Sequence, residues 1–313
     1  MIRYIIKRLI LMIPAILATS LIIFVAMNMT GGDPVDSLAP ENATEEQIEE
    51  LREELGLNDP LLVRYVKYMG GMLRGDLGVS YVTKKDVFAT FAERLPATLK
   101  LACSSVLIAT LVALPLGIYT AIHQNTWKDT GGMVFALFGV SMPNFWLGLM
   151  LILCFSLWLG WFPSGGYGDG GIRNLVLPAV TVGLGFAALI TRTTRSAMLD
   201  VIRQDYMTTA RAKGVPDRKV IFGHGLKNAL IPIITVIGMQ LSNALTGSVL
   251  AETVFSWPGV GRLIVDSIAK RDTPMVTGSI IMCCILVCIV NVAVDLVYAF
   301  FDPRIKAQYA KKG

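Results

Sequence analysis

Six stretches of the chain are almost free of charge: Leu9–Met29, Leu101–Ile122, Met133–Phe162, Leu175–Ile190, Ala229–Ala251 and Val276–Phe301. Most exceed the roughly 18 apolar residues that mark a bilayer-crossing helix, so the pattern predicts six such helices. The fourth run is short, with Arg192 close behind it, although a helix buried in a bundle can continue past the lipid. Met133–Phe162 is the longest, and Pro143 is expected to bend it or delay its start. Pro115-Leu116-Gly117 should bend the second. The first run follows Arg3, Lys7 and Arg8. It is longer than the apolar region of a signal peptide and no cleavage site follows, so it is predicted to stay as an uncleaved helix.

Between the first two runs, over residues 30–97, the pattern becomes that of a water-exposed segment. Thr44 and Gln47 make a capping box ahead of Ile48, Leu51 and Leu55 on one helix face, and Gly56 is placed to end that helix. A second helix is predicted from Asp59-Pro60 through Leu62, Tyr65, Val66 and Met69 to a break at Gly70-Gly71. Gly75-Asp76-Leu77-Gly78 reads as a turn. A third short helix is predicted between the fourth and fifth apolar runs. There Asp205 can act as N-cap, Thr208 and Thr209 fall in the first turn, Arg211 and Lys213 lie near the end, and Gly214 stops it. Two turns of helix are marginal in water, so this one needs a surface to lean on. Tyr206 and Ala210, one turn apart, are its expected contact face.

Composition supports a membrane protein: 54% of the 313 residues are hydrophobic and 16% are charged, with mean hydropathy +0.59. A soluble domain is far from that balance. Basic residues gather before the first run, within Thr191–Asn228 and after Phe301, whereas the opposite short loops hold only Arg173, Arg262, Lys270 and Arg271. The positive-inside rule therefore places both termini and the Asp205 segment in the cytoplasm. The same asymmetry accounts for the net charge of +5 without a nucleic-acid partner. From Asp33 to Arg94 acidic residues outnumber basic ones 13 to 7, which makes this extracytoplasmic cap acidic, either as a solvated lid or as a docking surface.

Candidate chemistry is sparse. The five cysteines all lie in apolar runs; Cys284 and Cys288 are one turn apart but lack a third ligand, so no metal site is predicted. There is no P-loop, no Gly-x-Ser-x-Gly elbow and no His-Glu-x-x-His, and no enzyme is predicted. Polar residues at membrane depth face protein or a water-filled path. That makes Ser141, Asn144, Gln240, Asn243, Asn291 and Asp295 candidates for a translocation path, with Ser242 beside them. Asp295 has a second reading, as the partner of a basic residue near the inner surface. Ala251–Gly261 mixes apolar residues with Trp257-Pro258-Gly259 and reads as a re-entrant or interfacial elbow, with Glu252, Trp257, Pro258 and Gly259 as candidate external gate residues.

Taken in order, several of these segments resemble one family, the inner-membrane permease subunits of binding-protein-dependent ABC importers. They are Leu57-Asn-Asp-Pro-Leu-Leu62, Gly75-Asp-Leu-Gly-Val-Ser80, Leu95-Pro-Ala-Thr-Leu99, Tyr206-Met-Thr-Thr-Ala-Arg-Ala-Lys-Gly214, Lys227-Asn-Ala-Leu-Ile-Pro232, Glu252-Thr-Val-Phe-Ser-Trp-Pro-Gly-Val-Gly261 and Asp302-Pro-Arg304. The likeness is to the first permease of the dipeptide, oligopeptide and nickel group. It implies an all-α integral membrane protein of the type I importer fold: residues 1–29 with the first helix, an extracytoplasmic helical insertion at 30–97, and a five-helix core at 98–313 with a cytoplasmic coupling segment at 203–228. Asp205, Tyr206, Thr208, Thr209, Ala210, Arg211, Lys213 and Gly214 would couple to an ATPase. Thr208-Thr209-Ala210 stand where many permeases carry Glu-Ala-Ala, and the acidic first residue is absent. The resemblance further implies a second homologous permease, two ABC ATPases that bind ATP and Mg, an extracytoplasmic binding protein, and location in the inner membrane of a bacterium. Di- or oligopeptides are the expected cargo, with nickel or glutathione import as alternatives. A proton-coupled secondary transporter, with Asn291 and Asp295 carrying the proton, is a further alternative.

Overall fold

The computed structural model describes residues 2–29, 35, 38, 39 and 43–301, with side chains from residue 10 onward except at positions 295 and 297–301. Asp302-Pro-Arg304 and the side chain of Asp295 thus lie outside the described residues.

Thirteen helices follow in chain order among the described residues: α1 (Ile2–Met29), α2 (Glu45–Glu54), α3 (Leu61–Met72), α4 (Val87–Ile122), α5 (Trp127–Ser141), α6 (Asn144–Leu151), α7 (Ile172–Ile202), α8 (Asp205–Ala212), α9 (Asp217–Lys219), α10 (Lys227–Gly247), α11 (Val249–Val254), α12 (Val260–Ala269) and α13 (Thr273–Phe301). The π-helical segments Ile152–Trp158 and Val220–Leu226 continue α6 and α9.

Five stretches are long and apolar enough to cross a membrane, lying in α1, α4, α7, Asp217–Gly247 and α13, and α5 with α6 make a sixth if counted as one span. That pair is bent by 97°. The cause is local. Pro143 clashes with a helical conformation at the residue before it, so Met142 turns extended, with φ −87° and ψ 129°. The fourth apolar run proves longer than its composition suggests, because α7 carries Arg192 and Arg195 as helix and ends only at Ile202. One expected interruption does not occur, as α3 runs through Gly70-Gly71 to Met72, and α4 is continuous helix past Pro115 to Ile122.

The described chain forms two compact units. One comprises Met1–Thr98 and Pro258–Cys288. Its α2 begins with the expected capping box, in which the Gln47 N–H donates to Thr44 Oγ1 at 3.4 Å and the Thr44 N–H to Gln47 Oε1 at 3.0 Å. Gly56 then takes φ +64° and ends the helix. Leu77, Val87 and Met275 make a small core beneath the Gly75–Gly78 turn. Asp272 fastens the following loop, accepting from Ser80 Oγ and, at 3.1 Å, from the Tyr81 N–H. Thr98 Oγ1 accepts the Val260 N–H at 2.8 Å, satisfying an orphan donor at the start of α12.

The other unit comprises Leu99–Trp257 and Ile289–Gly313. Its core is a seam of small residues where α4, α7 and α10 meet: Ala109, Ala113 and Ala121 from α4, Ala187 and Ala197 from α7, Ala229 from α10, with Ile118, Ile190 and Ile233 between them. Lipid tails are as apolar as the helices, so close backbone approach rather than hydrophobic exclusion holds such a seam together. Gly117 shows how close. A Cβ placed there would lie 2.6 Å from Thr194 Cβ and 2.8 Å from the Thr191 carbonyl oxygen. Gly117→Val is therefore expected to destabilise the chain by about 1–3 kcal/mol, the usual cost of overpacking. Gly131→Ala, with open space around it, should cost far less. Thermal unfolding of the two variants in detergent checks the contrast; equal midpoints would contradict the packing argument.

Candidate coupling helix and polar span residues

The Asp205 segment folds as expected in length and departs from expectation in detail. Helix α8 spans eight residues, Arg211 falls in its last turn, and Gly214 follows at φ +74°, a left-handed conformation that favours glycine. Asp205 is not the cap. Gln204 occupies that position with no side-chain hydrogen bond, and Asp205 is the first helical residue, where its carboxylate still complements the helix dipole. Thr209 Oγ1 donates back to the Asp205 carbonyl at 3.0 Å. Beyond the glycine, Arg211 Nε meets Asp217 Oδ1 at 3.1 Å, tying the end of α8 to the start of α9.

The contact face differs too. Tyr206 is exposed and Ala210 half-buried, whereas Met207 is fully buried. The reason lies in the next segment. Val220–Leu226 is π-helical, and it presents Gly225 at a point where an added Cβ would meet Met207 Cε at 3.2 Å and Met198 Cε at 3.5 Å. Met207 therefore lies in a slot between the end of α7 and the π-helical turn. Asn228 Nδ2 reaches the Tyr206 hydroxyl at 3.1 Å and holds one edge of α8. The faces bearing Asp205, Thr208, Thr209, Arg211, Lys213 and Gly214 stay exposed. Sequence reasoning passed over Met207; its signal is that it is the one long apolar side chain in an otherwise polar helix.

A second feature went unread in the sequence. Arg195, near the end of α7, donates through Nε to Asp129 Oδ1 at 2.7 Å and through Nη2 to Oδ2 at 2.6 Å, and the Asn125 N–H adds a bond of 3.0 Å to Oδ2. Asp129 is buried. This bidentate pair joins the start of α5 to α7, the helix that leads into α8.

The polar residues at membrane depth fall into separate groups. Ser242 Oγ donates to Asn291 Oδ1 at 2.9 Å, and Asn243 Nδ2 donates to Gln240 Oε1 at 2.8 Å; Gln240 is buried and Asn243 exposed. Ser141 Oγ bonds the Leu137 carbonyl of its own helix, and Asn144 lies against Gly185 of α7. The structure thus pairs α10 with α13 through Ser242 and Asn291, while Asn144 lies with α7 and Ser141, exposed, bonds its own helix. Of the elbow residues, Glu252 is fully buried and accepts from Ser248 Oγ at 3.2 Å. Trp257 is fully buried with Tyr167 edge-on at 4.8 Å. Pro258 and Gly259 lead into α12, which Gly259 caps. The chain around the elbow is α11, a short turn and α12. Among the described residues no group of three or more His, Cys, Asp or Glu side chains could hold a metal ion.

Comparison with known proteins places this arrangement. Residues 113–307 match the family described as binding-protein-dependent transport system inner membrane component, and residues 1–102 match the family of its N-terminal portion. The di/tripeptide transport system permease protein DppB of Pseudomonas aeruginosa is 39% identical over 335 residues, covering 98% of this chain and 100% of that protein. The oligopeptide transport system permease protein AppB of Bacillus subtilis is 40% identical, with coverage of 98% and 100%. The glutathione transport system permease protein GsiC of Escherichia coli K12 is 39% identical, with coverage of 98% and 99%. In fold, the chain resembles the MetNI methionine ABC transporter in inward facing conformations, with TM-score 0.60 at 17% identity over 69% of this chain and 97% of that one.

Proposed function

The chain belongs to the family of binding-protein-dependent transport system inner membrane components, and from that premise we propose that it forms half of the translocation pathway of an ATP-driven importer of di- or oligopeptides. It is a multi-pass inner-membrane protein and a transport subunit. A second, homologous permease completes the pathway, two ABC ATPases bind ATP and Mg on the cytoplasmic side, and an extracytoplasmic binding protein delivers the cargo. Both termini are cytoplasmic, in keeping with the distribution of basic residues.

The observation that carries this reading is α8: a helix seated on its own chain by one fully buried side chain, Met207, with Tyr206 and Arg211 bonded to Asn228 and Asp217 at its edges and the faces bearing Asp205, Thr208, Thr209 and Lys213 open. Such a helix can be seated in the groove of another polypeptide and pass the movement of that partner into α7 and α10. Work enters only where the two access states differ in their contacts, so ATP-driven closure of the partners must be felt at this helix. The path residues proposed are Gln240, Asn243 and Asn291 with Ser141 and Asn144, and Asp295, four positions after Asn291 in α13. Glu252, Trp257, Pro258 and Gly259 form the external gate. Peptide cargo is favoured because relatives of nearly full coverage carry peptide-transport names, glutathione itself being a peptide derivative.

Uptake of a labelled tripeptide by proteoliposomes holding the four membrane and ATPase subunits, with binding protein and ATP, tests the proposal. Glutathione and nickel as competitors separate the alternatives. Gly214→Pro in the same assay is expected to lower uptake at least about tenfold, because proline locks φ near −65° where the native residue holds +74° and also removes the N–H that bonds the Arg211 carbonyl. Uptake by the chain without ATPases, driven by a proton gradient, would overturn the reading, as would unchanged uptake in Gly214→Pro.

A further inference from the structure

Within the first unit, α3 leans on α1 by one edge and leaves the other open. Ser20 Oγ and the Tyr65 hydroxyl lie 2.8 Å apart, and the Phe24 ring sits 5.5 Å from Tyr65 and 6.1 Å from Tyr68. The open side of α3 carries Leu62, Val63 and Val66, all exposed, and α1 exposes Leu17, Leu21 and Ile22. An amphipathic helix with exposed aliphatic residues beside a membrane-crossing helix has the form of an interfacial helix, its apolar face in the acyl region and its basic residues at headgroup level.

Beneath α3 lies a cavity of about 170 Å³, bounded by Phe24, Arg64, Tyr68, Tyr81 and Thr277. Its polar atoms want a partner. Thr277 is fully buried, and its Oγ1 and the Tyr68 hydroxyl have no hydrogen-bond partner. Buried hydroxyls left unpaired cost free energy, and native proteins rarely keep two of them around one space without something to bond. Burial also pushes the Tyr68 phenol above its ordinary range, so it stays a neutral donor. Arg64 supplies charge: its guanidinium stands 6.0 Å over the Phe24 ring and hydrogen-bonds Tyr81. Lys67 is paired with Asp59 at the rim, which leaves Arg64 as the lining charge without a carboxylate partner among the described residues, while Asp272 keeps its charge beside Tyr81, accepting from Ser80 and the Tyr81 N–H. Thr273 and Pro274, at the N-terminus of α13, line the same cavity, and the Asp272 carboxylate just before them accepts the Met275 N–H at 3.5 Å, so the donors left for an anion are those of Arg64, Tyr68 and Thr277.

We propose that this cavity holds the phosphate of an anionic phospholipid, with Arg64, Tyr68 and Thr277 as its donors and the acyl chains lying along α1 and the open face of α3. The bound lipid satisfies the two hydroxyls, neutralises Arg64 and covers the aliphatic face in one step. The inference uses only the first unit, and its readout is retained lipid rather than transport, so it can fail while the transport reading stands.

Native mass spectrometry of the full chain, released from bacterial membranes with its partner subunits, provides the test. One phosphatidylglycerol is expected to remain per chain under activation that strips bulk lipid. Arg64→Gln should lower that occupancy about tenfold, the factor carried by one charge-assisted hydrogen bond. Thr277→Val and Tyr68→Phe should each lower it less, and Arg74→Gln, an exposed arginine outside the cavity, should leave it unchanged. Absence of retained lipid, equal retention in Arg64→Gln, or retention of inorganic phosphate in place of lipid would overturn the proposal. So would burial of the α3 face against another polypeptide, read from cross-linking of a Val66→Cys variant to a partner subunit in the intact complex.

Discussion

Met207→Asp is expected to lower peptide uptake by the assembled transporter at least tenfold, to about the level of a complex without coupling, while the chain still inserts. Met207 is the only fully buried side chain of α8 and fills the slot formed by Gly225 and Met198. An unpaired carboxylate in that slot costs several kcal/mol after relaxation. An eight-residue helix cannot hold itself together in water against such a penalty, so it leaves the slot instead. Met207→Leu conserves volume and chemistry and should cost less than about 1.5 kcal/mol, leaving uptake near normal. Gly225→Leu approaches the same slot from the other side and should reproduce the defect of Met207→Asp, whereas Gly223→Ala, whose Cβ would meet only Lys219 Cγ at 3.8 Å, should not. Uptake and ATP hydrolysis measured together in proteoliposomes decide the matter. Hydrolysis that persists while uptake is lost is the signature of an undocked coupling helix; full uptake in Met207→Asp would remove Met207 from that role.

Arg195→Met should produce a large loss of stability in the second unit. It leaves the buried Asp129 carboxylate with only the Asn125 N–H at 3.0 Å, and breaking a buried pair in this way costs about 3–5 kcal/mol. Asp129→Leu alone strands the partly buried guanidinium, which is less costly because a quarter of the Arg195 side chain still meets solvent. The double variant, Asp129→Leu with Arg195→Met, removes both charges and should recover most of the stability, since a buried pair replaced by apolar residues is often neutral. Thermal unfolding of the two single variants and the double variant forms a mutant cycle, and the coupling energy is expected to be at least about 2 kcal/mol. Additive losses would mean that the pair contributes no more than its separate parts.

Much of this architecture was legible in the chain. Charge-free runs located the five membrane-length helices and the bent pair α5 and α6, because a backbone in lipid must satisfy its own hydrogen bonds and so appears as long apolar helix. The capping box at Thr44 and Gln47 and the stop at Gly56 were legible for a related reason: the partners are three residues apart, and the glycine is needed wherever φ turns positive. Gly214 was legible on the same ground. The errors share a cause as well. Tyr206 and Ala210 were read as the contact face of α8 because period alone cannot say which side of a short helix meets its neighbour. The choice of Met207 came from Gly225, 18 positions away, in a π-helical turn that no local pattern announced. Asp129 and Arg195, separated by 66 positions, gave no sign of belonging together.

The sequence by itself determined where the long apolar helices lie, the bend at Pro143, the polarity of the chain across the membrane as an expectation, and the short helix closed by Gly214, since each rests on local sterics or on transfer of contiguous side chains out of water. Tertiary structure alone decided the slot that takes Met207, the pairing of Ser242 with Asn291 and the cavity under α3. Those depend on how closely separate helices approach one another, and helix approach is governed by the fit of small residues across an interface, which neighbours in sequence do not encode.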